Sequence, residues 1–224
     1  MGWPRSIKEI ESASAGQRAV ILALLAVGSA VLSTYLSRDP WSLSVVFKGK
    51  PTLPGVYFGL VLSVATFWWA TKNPFKILTV LFVTVIAWLV AQEVGERAYS
   101  FIDSTIQQST AGVSPIEHQS TRIFPLHVNY SFAVSGVVAG FVGAFVTVFG
   151  VSLACKDFRN FRDWAATILV GTVAGSLLEM AIGKGTPPLP NSLSIHIGSL
   201  LPLYLVWQSC VAASIGYGLR SGNR

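Results

Sequence analysis

The chain has 224 residues, of which 52% are hydrophobic and only 12% are Asp, Glu, Lys or Arg. Soluble domains carry about 25% charged residues, so the composition excludes a disordered tail, a fibrous repeat and an ordinary water-soluble enzyme. The net charge is +6, but the 16 Lys and Arg residues are scattered singly between apolar runs, which argues against a nucleic-acid-binding face. We therefore expect an integral membrane protein whose first partner is the lipid bilayer, and no nucleic acid.

Six apolar runs are long enough to cross a membrane as helices. A bilayer core about 30 Å thick requires about 20 apolar residues in helical form, and lipid offers the backbone no other hydrogen-bond partner. The sequence therefore predicts an all-α fold, a polytopic transmembrane helical bundle with six spans. The predicted spans are 19–37, 55–71, 75–94, 130–155, 164–182 and 195–219.

The positive charges predict how the spans are oriented. With both termini inside, ten Lys and Arg residues lie in cytoplasmic segments and six lie in outer segments. The short turns 72–76 and 156–162 carry the most weight, because short loops report orientation best. We therefore predict an N-in/C-in topology, in the bacterial inner membrane.

This topology divides the chain into three parts. The predicted cytoplasmic N-terminal segment is 1–18, the six-helix transmembrane domain is 19–219, and the cytoplasmic tail is 220–224. The domain includes one sizeable outer loop, 95–129, which is either a lid or partner-docking surface or a connector. Two short helices are expected in that loop, an amphipathic one at 99–106 and one that starts at Ser114.

The strongest pattern is a seam of small residues in the fourth span. Their spacing alternates between three and four residues, which keeps them on one side of a helix, and small residues let membrane helices approach closely. The seam comprises Ala133, Gly136, Gly140, Gly143, Thr147 and Gly150, and the fifth span adds Gly171 and Gly175. Three interpretations are open: a tight hairpin of spans four and five, a contact between copies in a homo-oligomer or around a pore, or docking onto other membrane subunits.

Ionisable groups lie toward the predicted outer surface. Glu93 follows Lys76 by 17 residues, which places it about 25 Å from the inner face. Carboxylates and imidazoles at one height suit a divalent metal or a proton or ion relay, although Glu93 can instead pair with Arg97 at i+4. The candidates for metal or ion handling are Glu93, Glu179, His127 and His196.

The sixth span carries two features that interrupt its apolar run. Pro202 is expected to kink the helix, because proline removes a backbone donor. Gln208 falls deep in the span, where an amide side chain makes an interhelical hydrogen bond or lines an aqueous path.

No nucleophile–base pair, phosphate loop or zinc motif occurs in the sequence, so an enzyme is disfavoured and no cofactor is expected. The leading hypothesis is a small, homo-oligomeric membrane protein that passes a small solute or ion, as a channel or a transporter. The first alternative is a non-transporting subunit that scaffolds or anchors a larger membrane complex. The second is a metal-dependent membrane enzyme that uses the four Glu and His candidates.

Overall fold

A computed structural model describes residues 7–36, 46–47, 50–109, 120–123, 126–182 and 201–219. The prediction of a short helix from Ser114, the tail 220–224 and His196 lie outside these residues.

The described chain is built of helices, which confirms the all-α class. Two short antiparallel strand pairs lie between helices, and a 3₁₀ turn lies at Lys156–Arg159. The helices are α1 Ile7–Glu11, α2 Ala15–Leu36, α3 Leu53–Trp69, α4 Pro74–Ser109, α5 Tyr130–Ala154, α6 Phe161–Ile182 and α7 Leu201–Gly218. The strands are β1 Val46–Phe47, β2 Lys50–Pro51, β3 Ser120–Ile123 and β4 Leu126–Asn129.

Three described helices are long and apolar enough to cross a membrane, over Ala15–Thr34, Pro74–Thr105 and Ala133–Ala154. Helix α3 is a shorter apolar helix. Large apolar side chains are exposed on the outside of every helix from α2 to α7, among them Leu24, Val64, Phe82, Phe145, Leu169 and Val206. Such an apolar exterior is unusual for a soluble protein and is compatible with lipid contact. The count of six spans stays a prediction.

Helix α4 is longer than the sequence suggested. It runs without interruption to Ser109, whereas the third span was predicted to end at Val94 and a surface helix was expected separately at 99–106. Residues 95–109 are less apolar than the span before them, but they contain no proline. Extending an existing helix also avoids the cost of nucleating a new one. The outer loop therefore begins beyond 95, and the expected surface helix is the last part of α4.

Helix α7 is described from Leu201. The kink expected at Pro202 depends on the residues before it, which lie outside the described residues, so the kink stays a prediction.

Neighbouring helices pack side by side, with α5 between α4 and α6, and α2 against α7. Nε1 of Trp69, at the end of α3, donates a 2.6 Å hydrogen bond to the carbonyl of Ile10. Gly216 packs on the backbone of Arg18, and the 3₁₀ turn packs on the last residue of α7. The start of α2, the ends of α3 and α7, and the turn between α5 and α6 therefore meet at one end of the bundle.

We call this the basic end, because it holds Arg18, Lys72, Lys76, Lys156 and Arg162. Both ends of the described chain lie there, as an even number of antiparallel helices requires. Which side of a membrane the basic end faces stays a prediction.

Candidate functional site

The small residues of α5 and α6 bring two backbones into contact. A Cβ atom on Gly175 would lie 2.9 Å from the Cα of Gly140, and one on Gly140 would lie 3.1 Å from the Cα of Gly175. A Cβ on Gly171 would overlap Ala144. The hairpin interpretation of spans four and five is thereby confirmed.

Two further glycines of the seam, Gly143 and Gly150, face the other neighbours of α5. A Cβ on Gly143 would lie 3.0 Å from Trp207 and 3.2 Å from Ala91, and one on Gly150 would lie 2.7 Å from Val83. Helices of the same chain therefore contact these glycines, and a homo-oligomer stays a prediction. The spacing of the small residues indicated close helix packing but not which helix each residue contacts.

A cavity of about 390 Å³ lies between α4, α5, α6 and α7. Small residues of α5 and α6 form one wall, because side chains without bulk leave the space between the helices unfilled. The lining from α4 and α7 is mostly aromatic and polar, and Ser135 of α5 adds a hydroxyl. The aromatic residues are Trp88, Tyr99, Tyr204 and Trp207, and the polar residues of α4 are Gln92, Glu96 and Ser100.

The aromatic side chains hold one another in place. The ring centroid of Trp88 lies 5.3 Å from that of Tyr204 and 6.5 Å from that of Trp207, both in edge-to-face arrangements. Phe58 of α3 supports Trp207 from behind at 5.6 Å. Such pairs fix ring orientation and add stability beyond the buried area. The cavity therefore has a wall of preorganised rings.

One polar group of the cavity lining has an unsatisfied hydrogen-bonding atom. Trp207 is 93% buried, with 7% of its surface exposed. Its Nε1 has no hydrogen-bond partner among the described residues. A buried donor without a partner costs about 1–3 kcal/mol, so the packing around this indole carries a local energetic cost.

The polar side chains mark the end of the cavity that is farthest from the basic end. Glu96 and Ser100 are exposed, and Tyr99 is half-buried. Glu96 lies 22 residues along α4 from Pro74, or about 33 Å at 1.5 Å per residue. Near this rim the hydroxyl of Ser135 donates a 2.7 Å hydrogen bond to the carbonyl of Gly95, which ties α5 to α4.

Toward the basic end the cavity gives way to a packed core. Fully buried apolar side chains from α4, α5 and α7 fill the space below it: Val80, Ala87, Ala144, Val148 and Val211. In the described part of the bundle, the cavity is therefore closed on that side.

Gln208 makes the interhelical hydrogen bond that the sequence predicted. The hydroxyl of Ser29 in α2 donates to its Oε1 at 3.0 Å, and the amide is fully buried. Gln208 follows Trp207 but does not itself line the cavity. The structural interpretation of Gln208 is confirmed, and the aqueous-path interpretation gains no support.

Glu93 is engaged in the alternative pairing that the sequence allowed. Nε of Arg97 donates to its Oε1 at 2.8 Å, one helical turn away. Glu93 does not line the cavity, whereas Glu96 does. The acidic residue of the site is thus one that the sequence analysis did not select.

The cavity wall was missed although a signal for it exists. Trp88, Gln92, Glu96 and Ser100 follow one another at four-residue intervals in α4. This spacing places them on one face of a helix, and all four line the cavity. A polar stripe along an otherwise apolar helix is the pattern that would have found it.

The side chains of the other candidates are not among those that the structure describes. Glu179 belongs to α6, and His127 lies in β4 opposite Arg122, while the side chains of Glu179 and His127 lie outside the description. Among the described residues, no group of three His, Cys, Asp or Glu is arranged to hold a metal ion. A metal site at these positions stays a prediction.

Comparison of the chain with protein-family models, with curated proteins and with solved structures finds no match. The cavity has the usual features of a small-molecule site: it is concave, mostly apolar, and carries a few polar groups. Its volume also falls within the range of about 300–1,000 Å³ that is typical of ligand pockets.

Proposed function

We propose that the protein is a six-span transporter of the bacterial inner membrane that takes a small solute or ion into this cavity and passes it across the bilayer. The observation that carries the proposal is the cavity itself, a mostly apolar pocket with aromatic and polar side chains that lies between four helices of the bundle.

The packing of the helices supports six spans. Helices α2 to α7 all expose apolar side chains on their outer faces. The start of α2 and the end of α7 meet at the basic end. The positive-inside rule then places the basic end in the cytoplasm. In this orientation, the rim with Glu96 faces the outside of the cell.

The packed core between the cavity and the basic end favours a transporter over a channel. A channel needs a continuous path, but packed side chains such as Val148 and Val211 separate the cavity from the basic end. A transporter closes one side of its site while the other side is open. The smooth contact between Gly140 and Gly175 is a place where α5 and α6 can shift against each other, because no side chains interlock there.

The experiment is a flux assay in liposomes that contain the full chain. Uptake of radiolabelled choline, mannitol and aspartate samples a cation, a neutral solute and an anion. Ala139→Trp fills the cavity, and Val137→Trp is the matched control, because Val137 is exposed on the outer side of the same helix. We expect uptake of at least one solute that Ala139→Trp abolishes and Val137→Trp preserves.

Uptake no greater than in empty liposomes for all three solutes would overturn the proposal, as would uptake that Ala139→Trp leaves unchanged. Absence of flux together with a stoichiometric copurifying membrane partner would instead favour the scaffold hypothesis. Thermal unfolding in detergent tests whether Ala139→Trp and Val137→Trp are folded.

A further inference from the structure

We propose that the basic end binds the headgroups of anionic membrane lipids through Lys76, Lys156 and Arg162, which we call the headgroup cations. They lie where α4 and α6 begin and where α5 ends, and none of them lines the cavity. The inference therefore goes beyond the proposed function and does not depend on transport.

The first argument is that the other two cations of the basic end already have partners. Nζ of Lys72 pairs with Glu11 at 2.7 Å, and the buried guanidinium of Arg18 donates a 2.8 Å hydrogen bond to the carbonyl of Ala13. Among the described residues, the side chains of the three headgroup cations form no ion pair and no hydrogen bond. Their charges are therefore available to a partner outside the chain.

The second argument is that the headgroup cations lie at one height. A Cβ atom on Gly150 of α5 would lie 2.7 Å from Val83 of α4, so these two residues are level in the antiparallel pair. Lys156 follows Gly150 by six residues, and Lys76 precedes Val83 by seven. Arg162 begins the next helix, and α5 lies between α4 and α6. The three cations therefore form one patch across helices whose axes are about 8–10 Å apart.

The third argument is the sign of the patch. Asp163 is the acidic side chain that the structure describes in the segment 156–163, and it faces α7. A Cβ atom on Gly218 would lie 3.2 Å from its Cβ and Cγ, and its Oδ2 is buried. The side chains of Asp157 and Arg159, which have opposite charges, lie outside the description. The patch is thus positive and complements an anionic headgroup, for which each nearby cation raises the affinity about fivefold.

The fourth argument favours a lipid over a soluble anion. Phe75 precedes Lys76 and is 79% exposed, and Phe161 precedes Arg162 and is 82% exposed. At a membrane surface, phenylalanine side chains enter the boundary between headgroups and acyl chains, while Lys and Arg reach the headgroups. A soluble anion would leave both rings in water. The partner is therefore a lipid.

The experiment titrates the full chain in detergent with two lipids that share their acyl chains. Phosphatidylglycerol is anionic and phosphatidylcholine is zwitterionic, and native mass spectrometry counts the bound molecules. We expect phosphatidylglycerol to bind at least about tenfold more tightly. Glycerol phosphate, a soluble headgroup analogue, should bind at least about tenfold more weakly than phosphatidylglycerol, because it has no acyl chains to cover Phe75 and Phe161.

Variants assign the preference to the headgroup cations. Arg162→Gln should lower the affinity for phosphatidylglycerol about fivefold and leave phosphatidylcholine unchanged. Arg97→Gln is the matched control, because Arg97 is also an exposed helical arginine but lies at the other end of α4 and pairs with Glu93. It should change neither affinity. Adding Lys76→Gln and Lys156→Gln to Arg162→Gln should make the two lipids bind equally.

The substituted side chains make no contact that folding needs, so the triple variant should unfold near the wild-type temperature in lipid-free detergent. Equal affinity of the wild type for both lipids would overturn the inference, as would equal effects of Arg162→Gln and Arg97→Gln. Glycerol phosphate that binds as tightly as phosphatidylglycerol would show that the ligand is a soluble anion and would overturn it too. The flux assay decides the transporter proposal separately, because these variants leave the cavity lining unchanged.

Discussion

The hydroxyl of Ser29 donates a 3.0 Å hydrogen bond to Oε1 of Gln208, and this bond joins α2 to α7 across 179 positions of the sequence. Both side chains are buried, with 4% and 0% of their surface exposed. Nε2 of Gln208 has no partner among the described residues. The first and last long helices are thus linked by a polar contact in which one buried donor is unsatisfied.

Replacing the two partners should have unequal effects on stability. Ser29→Ala leaves the buried carbonyl of Gln208 without its donor and should cost about 1–2 kcal/mol. Gln208→Leu removes both the acceptor and the unsatisfied donor, and Ser29 can then donate to the carbonyl four residues earlier, as Ser33 does to Ser29 at 2.7 Å. We therefore expect Gln208→Leu to be milder, and the double variant to lose less than the two single losses combined. Thermal unfolding in detergent measures all three, and additive losses would show that the bond contributes nothing.

Two glycines provide a matched test of the α5–α6 contact. Gly175→Ala places a methyl group 2.9 Å from the Cα of Gly140. Because the atom that it meets belongs to the backbone and cannot rotate away, the substitution should destabilise the protein by about 1–3 kcal/mol. Gly28→Ala in α2 meets nothing within 4 Å and should be neutral or stabilising by up to about 1 kcal/mol, because alanine favours helix. Unfolding temperature gives the comparison. Equal effects of the two variants would mean that α5 and α6 are not in backbone contact.

The same contact changes the expected effect of a larger residue at Gly140. If the glycines packed on a second copy, Gly140→Leu would dissociate an oligomer into stable monomers. Since Gly140 packs on Gly175 within the chain, the substitution should lower the unfolding temperature and leave the native mass of the remaining folded protein unchanged. Native mass spectrometry of the folded fraction tests this, and a smaller assembly of undiminished stability would contradict it.

The sidedness of the helix ends is open to chemical labelling. In a background without Cys155 and Cys210, Ser12→Cys and Lys156→Cys place thiols at exposed positions of the basic end. Ser104→Cys places one on the exposed last part of α4. With an impermeant maleimide on intact cells, we expect labelling at 104 only, and at 12 and 156 after permeabilisation. Labelling of 12 and 156 from opposite sides would contradict the contacts at the basic end.

The positions of the helices were readable from the sequence because apolar runs and helical spans coincide. The end of α4 was not, since hydropathy falls after Val94 while the helical backbone continues to Ser109. Hydropathy reports where a helix would contact lipid, and helix propensity reports where it ends; at α4 these two limits lie 15 residues apart.

The site was harder to predict than the helices. Glu93 and Gln208 were selected because they are polar residues in apolar surroundings, but one pairs along its own helix and the other across to α2. The cavity depends on which faces of α4, α5 and α7 turn toward one another, and that information lies in the packing. Trp88 and Trp207 are 119 positions apart in the chain and meet only in the folded bundle.

Two contacts of different strength are among those that join helix α1 to the described bundle. Lys72 Nζ pairs with Glu11 at 2.7 Å and lies 3.9 Å from the centroid of the Phe67 ring, with both charged side chains partly exposed. Trp69, 2% exposed, donates its 2.6 Å hydrogen bond to the carbonyl of Ile10. Lys72→Met should cost less than about 1 kcal/mol, and less still at high salt.

Trp69→Phe removes the indole donor, leaves the Ile10 carbonyl with the 3.2 Å bond from the Ala13 N–H, and opens a gap in the core, so it should cost about 2–4 kcal/mol. Limited proteolysis of the first residues in detergent reports the release of α1. We expect rapid cleavage in Trp69→Phe and near-normal resistance in Lys72→Met, and the reverse order would show that the ion pair, rather than the buried indole, holds α1 in place.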